Sequence, residues 1–164
     1  MFPYIDPRDK QLAQTLINYS VRAGSGDLVY IQCIGRDTLG LGAACAEEAT
    51  RAGAAPYVQL TEPEMQRRYL METSRESLER LARFEMAQMK DTTCYIGLRG
   101  SENIFEMADV PRQQMELYNQ IVYRPVHLEV RVKQTRWCVL RYPTSSMAQQ
   151  AEMSRESFAD FYYR

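Results

Sequence analysis

Residues 28–60 read LVYIQCIGRDTLGLGAACAEEATRAGAAPYVQL, and the succession of patterns in that stretch decides the fold. LVYIQCI, residues 28–34, carries β-branched, aromatic and aliphatic side chains on both of its alternating faces, as a strand does when helices cover a parallel sheet from two sides. Residues 38–52 are helix-like and close on Gly53, a residue free to adopt the left-handed backbone that ends helices. PYVQL, residues 56–60, is a second strand bounded by turn formers. A strand, a helix and a strand in this order form a βαβ unit, whose strands lie parallel because the helix carries the chain back over the sheet.

The pattern extends in both directions. Upstream, Asp6, Pro7 and Asp9 form a helix start, with an acceptor at the cap, proline in the first turn and a carboxylate near the positive dipole end. That helix is expected to run to Gly24, with Leu12, Leu16 and Ile17 on one face. Downstream, Thr61 with Glu64 and Thr73 with Glu76 read as capping boxes, so residues 62–90 are expected to form two helices or one broken one, with Leu78, Leu81, Ala82 and Met89 inward. CYIGL, residues 94–98, is a third buried strand, and GSENIFEMADVP, residues 100–111, is a loop. Asp109 then opens a helix with Met115, Tyr118, Ile121 and Val122 inward, which Pro125 is expected to stop. Residues 126–133 alternate apolar and polar, a period of two that predicts a half-exposed strand. With RWCVLRY, residues 136–142, it is expected to make an antiparallel hairpin at one margin. The whole predicts an α/β fold: a three-layer α/β/α sandwich of Rossmann or flavodoxin type, mostly parallel, as a single domain over residues 1–164.

Composition narrows the function. A chain of 164 residues with 45% apolar side chains can bury a core without metal or disulfide staples. Its net charge of −1 gives no general attraction for nucleic acid or an anionic membrane, so neither is an expected partner. MFPYIDPRDK at the start lacks a basic segment followed by an apolar run, and no stretch has the length of apolar residues a membrane span needs; a cytoplasmic location is expected. Cys33, Cys45, Cys94 and Cys138 are widely spaced, without a C-x-x-C pair, and are expected to be buried reduced thiols.

Ligands in open α/β sheets bind beyond the carboxyl ends of the strands. The first such loop, GRDTLGLG at residues 35–42, has the outline of a phosphate loop, but Leu41 and Gly42 stand where lysine and a hydroxyl residue are required. It does not read G-x-G-x-x-G either, and no G-x-S-x-G elbow is present. His127 is the one histidine, too few for a metal centre built on imidazoles, and is expected to be exposed on the polar side of its strand. Arg131, Lys133 and Arg136 are expected to be charged gatekeepers on an exposed edge strand. By position and polarity, Arg99, Asn103, Arg141 and Tyr142 are the candidates for a cavity or interdomain face. Ser154 caps a last helix bearing Phe158, Phe161, Tyr162 and Tyr163, an aromatic density that suggests an interdomain docking helix, continuing into further chain or docking on another surface, with packing back on this domain as the alternative.

The run RWCVLRYPTSSMAQQAEMSRESFADFYY, residues 136–163, resembles the end of the amino-terminal domain in the thermophilic metallo-aminopeptidase family, the aminopeptidase T and leucyl aminopeptidase group. The residues that carry it are Arg141, Pro143, Thr144, Met147, Ala148, Gln149, Ala151, Met153, Ser154, Phe158, Asp160 and Phe161. LAQTLINYSVRAGSGDLVYIQC at residues 12–33 and EEATRAGAAPYV at residues 47–58 are similar to the family's opening. The resemblance implies a scaffold domain of an enzyme that removes N-terminal residues from short peptides by metal-activated water. It further implies a catalytic carboxyl-terminal domain, absent from this chain, that holds two divalent ions, zinc or cobalt, and a homodimer in the full protein. No catalytic or metal-ligating residue can be carried over to this chain, which is expected to be inactive alone. The rival reading is a free-standing α/β module that binds a small anion or a partner protein through the strand ends and aromatic tail.

Overall fold

Leu28–Ile34 forms β1, the strand around which the rest is built: Val29, Ile31 and Cys33 point to one side and Tyr30 and Gln32 to the other. The computed structural model describes residues 5–164. Among them β1 pairs in parallel with β2 (Ala55–Thr61) on one flank and β3 (Cys94–Arg99) on the other, and β3 pairs in parallel with β4 (Arg136–Arg141). The order β2-β1-β3-β4 is flavodoxin-like, all parallel, and confirms the layered α/β class.

Helices α1 (Pro7–Gln14) and α2 (Leu39–Arg51) cover the face of Val29, Ile31, Cys33, Ile96 and Leu98. Each such side chain withdrawn from water contributes about 1.5–3 kcal/mol, which makes this face the main core. Asp6 caps α1 as expected, accepting from Arg8 N at 2.8 Å, but the helix passes into a wide π turn over Thr15–Ser20 and ends there, short of Gly24. The opposite face, with Tyr30 and Tyr95, is covered by α4 (Arg75–Asp91) and by a long helical segment. A satellite core of Leu70, Leu78, Val110 and Val122 holds α3 (Pro63–Glu72) to that layer. The capping boxes are each displaced by one residue: Glu62 stands at the start of α3 without a side-chain cap bond, and Ser74, not Thr73, caps α4 through Ser77 N at 3.2 Å.

The expected hairpin does not exist. α5 (Arg112–Tyr118) continues as π turns over Asn119–Arg131 and a last turn, α6 (Val132–Gln134), so residues 126–133 are helical and β4 is parallel to β3. Nor does Pro125 stop the helix: i→i+5 turns relieve the clash its ring would make with the carbonyl four residues back in a regular α-helix. Alternation by two is also repetition by four, and the buried positions are Val122, Val126 and Val130 beside His127 and Arg131. Leu128 and Val132, counted inward in a strand, are exposed.

The final segment turns back on the domain. Thr144 caps α7 (Ser145–Gln150) and Ser154 caps α8 (Arg155–Tyr162). Phe158 is buried, Tyr162 and Tyr163 are half-buried, and Phe161 is 66% exposed. Tyr163 and Tyr142 donate to the two carboxylate oxygens of buried Asp9, at 2.6 and 3.0 Å, while the Arg8 guanidinium lies 4.7 Å over the Tyr163 ring and reaches Asp160 at 2.8 Å. Asp9 therefore ties α1, the end of β4 and α8 together. Asp9→Ala strands the hydroxyls of two half-buried tyrosines and is expected to cost about 2 kcal/mol, with faster amide exchange confined to α8. Unchanged exchange in α8 would show that its apolar contacts suffice.

Candidate functional site

The chain leaves β1 toward one flank and β3 toward the other, opening a crevice at their carboxyl ends, the place where doubly wound sheets receive ligands. Gly35 and Gly100 form its floor. They lie so close that a Cβ on Gly35 would come within 2.3 Å of the Gly100 carbonyl oxygen. Above them is a cleft of about 280 Å³ with the carboxylates Asp37, Glu62, Glu64, Glu102 and Glu106 on its walls. Arg155 takes Asp37 at 3.0 Å, and Arg36 Nε lies 3.4 Å from Glu62. A hydrogen bond with the Asp37 carboxyl, followed by burial, raises the pKa of Glu102. The GRDTLGLG loop thus makes a glycine floor under an acidic wall, the opposite of a phosphate cradle.

Beside it, a cleft of about 330 Å³ brings together Arg99, Asn103 and Arg141 with Ser101 and Thr144. Three of the four cavity candidates therefore share one surface. Tyr142 does not join them, since its hydroxyl is committed to Asp9 on the other face of the sheet.

Arg99 also borders a larger cavity of about 670 Å³ between the Tyr95 face of the sheet and α3, α4 and α5. Tyr69, Tyr118 and Tyr123 line it together with Met65, Met107 and Met115. Gln32 and Gln59 form its polar floor, the first receiving the Tyr95 hydroxyl and the second that of Tyr30. Burial pushes Glu85, on the α4 side, up to about 7. The same cause, reinforced by Arg131 and Arg99, holds the His127 imidazole down at about 4, so it is neutral at physiological pH.

His127 is thus not an exposed strand residue. Its ring stacks on Tyr123 at 5.2 Å, and its Nδ1 accepts from Arg131 Nε at 3.3 Å. Arg131 is also buried, sandwiched between the rings of Tyr95 and Trp137 at 5.0 and 4.9 Å. The supposed basic gatekeepers are dispersed: Lys133 pairs with Glu129 on the outer helix face, and Arg136 binds Asp27 at 2.6 Å. The tyrosine cavity and Arg131 escaped sequence reasoning. Their signal was present in the four-residue spacing of Tyr123, His127 and Arg131, which aligns on one helical face.

Three of the cysteines are buried and Cys138 is half-buried, all as free thiols, and burial raises the pKa of Cys33, Cys45 and Cys138. A metal centre needs several convergent donors, and among the described residues no three His, Cys, Asp or Glu side chains are placed to hold an ion. The donor set does not fit a two-ion site. No helix among the described residues is long and apolar enough to cross a membrane.

Comparison with known proteins gives a consistent picture. The profile of the thermophilic metalloprotease (M29) family matches residues 6–164. Wild-type AmpT from Thermus thermophilus superposes with a TM-score of 0.71 at 17% identity, over 95% of this chain and 41% of AmpT. The chain therefore spans less than half of AmpT's length, and at that identity the likeness is one of fold. A putative transcription regulation repressor of the LacI family from Corynebacterium glutamicum gives a TM-score of 0.33 at 17% identity, over 82% of this chain and 60% of the repressor, too low to carry any argument. No curated protein matches.

Proposed function

We propose, from the premise that this chain belongs to the thermophilic metalloprotease (M29) family, that it serves as the non-catalytic amino-terminal wall of a metallo-aminopeptidase acting on short peptides. The observation that carries the reading is the pairing of a family match over residues 6–164 with a donor set that cannot assemble a metal centre among the described residues. On this reading the zinc or cobalt ions belong to a catalytic domain outside these residues. The protein acts in the cytoplasm, and the full enzyme is a homodimer.

The rim of the strand ends supports the assignment of that edge to an interdomain face. The loop after β3 leaves Ile104 and Phe105 exposed beside the arginine cleft, and Met65 stands exposed on α3 at the mouth of the tyrosine cavity. Apolar side chains around two open cavities suit a surface that another domain of the same protein covers. Phe161 is the member of the aromatic tail left free to join such a contact.

The isolated chain, assayed with leucine p-nitroanilide and cobalt or zinc, is expected to show no turnover and no stoichiometric metal binding. Robust hydrolysis would overturn the assignment, since it would place the ions within these residues.

A further inference from the structure

We propose that Arg99 and Arg141 form a clamp for the free C-terminal carboxylate of a short peptide, whose last side chain enters the adjoining tyrosine- and methionine-lined cavity. That the carboxylate belongs to a peptide rests on the reading given under Proposed function; the clamp rests on the geometry.

Arg99 and Arg141 are register partners at the ends of the parallel strands β3 and β4, so their side chains leave the same face of the sheet side by side. Both are exposed and both line the same cleft. Among the described residues neither has a carboxylate within ion-pair distance, although arginines elsewhere on the surface are widely paired. Two guanidinium groups held abreast repel each other, and an anion between them removes the repulsion and gains charge-assisted hydrogen bonds. The planar fork of arginine matches a carboxylate in two-point contact.

The surroundings select where the anion sits. Glu106, the carboxylate in this cleft, is engaged by Asn103 Nδ2 at 3.1 Å, and apart from the arginines the other polar side chains there, Gln66, Ser101 and Thr144, are neutral. The neighbouring cleft over Gly35 and Gly100 is walled by carboxylates and repels an anion. Its alternative resting places are therefore unfavourable, and the arginine pair is the positive end of the rim.

The apolar part of the ligand follows from continuity. Ile34, Gln66, Arg99 and Met107 border both the arginine cleft and the 670 Å³ cavity, so a molecule anchored on Arg99 has direct access to the tyrosine and methionine walls. Aromatic and thioether surfaces accept an apolar or aromatic side chain, with methionines adapting to its shape. The ligand class is thus a small acid with an apolar body adjacent to its carboxylate, as at the end of a peptide closing on Leu or Phe. If the chain walls a peptidase chamber, this clamp fixes the far end of the substrate and explains a preference for short ones.

The test uses the 164-residue chain and two probes that differ at one group, N-acetyl-Leu-Phe and its C-terminal amide, with inorganic phosphate as a second anion. By calorimetric titration the acid is expected to bind at least about tenfold more tightly than the amide or phosphate. Arg99→Gln and Arg141→Gln should each remove most of that preference while leaving the affinity for the amide and the thermal midpoint unchanged; Arg83→Gln, on the outer face of α4, should change nothing. Equal binding of acid and amide, no binding of the acid up to its solubility limit, tighter binding of phosphate, or full affinity in both glutamine variants would each overturn the clamp. Leucine p-nitroanilide carries no carboxylate, so its hydrolysis by this chain would sink the domain assignment without touching the clamp. Failure of the acid to bind would sink the clamp and leave that assignment standing.

Discussion

Replacing Gly35 by alanine is expected to lower the unfolding free energy by about 4 kcal/mol, a large fraction of the roughly 5–15 kcal/mol that holds a typical domain folded. Two independent costs add. Gly35 has φ of +84° and ψ of 142°, a region that side-chain-bearing residues occupy at a cost of about 1–3 kcal/mol. The new Cβ would also lie 2.3 Å from the Gly100 carbonyl oxygen and 2.8 Å from its carbon, so the backbone itself must shift. Gly100 N donates to Ile34 O at 2.7 Å, so the residue is held, through the peptide on its amino side, by the strand that precedes Gly35. Relief therefore requires β1 and β3 to part at their carboxyl ends, where overpacking typically costs about 1–3 kcal/mol more. Gly24→Ala is the control, because Gly24 has an ordinary φ and nothing within 4 Å of the added atom; it should change stability by less than about 1 kcal/mol. Urea melts of the two variants measure the difference. A Gly35→Ala protein within 1 kcal/mol of wild type would mean that the crevice floor is not closed as described.

How much of this was legible in the sequence divides along one physical line. Where the local pattern and the tertiary environment agree, the reading holds residue by residue: LVYIQCI is β1, CYIGL lies within β3, Asp6 with Pro7 opens α1, and Gly53 takes positive φ after α2. Where one pattern serves two periods, it fails. Residues 126–133 satisfy a strand by twos and a wide helix by fours, and the choice between them is made by α4, whose face they must cover. One error propagated to the site, since placing His127 and Arg131 on a strand exposed them and hid the aromatic wall they build with Tyr95, Tyr123 and Trp137. Arg99, Asn103 and Arg141 were placed by a rule that depends only on strand order, which that error does not touch, and they line one cleft. Tyr142 lies apart from them because alternation along the strand turns it to the Asp9 face.

The tyrosine cavity contains two groups whose titrations should cancel in the wild-type protein and appear when either is removed. Glu85 has its pKa pushed by burial from 4.5 up to about 7. The folded state therefore holds a proton that the unfolded state has lost between pH 4.5 and 7, and stability falls as pH rises through that window. His127 runs the other way. Burial, with Arg131 and Arg99 nearby, lowers its pKa from 6.5 to about 4, so the unfolded state binds the proton first and stability falls as pH drops from 6.5 to 4. Shifts of this size correspond to about 3 kcal/mol each. The two windows overlap almost completely, and acidification that strains His127 relieves Glu85. Glu85→Gln removes the relieving partner, and its stability relative to wild type should decline by up to about 3 kcal/mol between pH 7 and pH 4. His127→Gln, which keeps an acceptor for Arg131, should show the opposite trend over the same range. The measurement is the difference between variant and wild-type unfolding free energies in urea at pH 4, 5.5 and 8, so that carboxylates elsewhere drop out of the comparison. If both differences are flat with pH, the two groups are solvated, and the wall they line is wet instead of dry; that outcome would also remove the apolar half of the proposed peptide site.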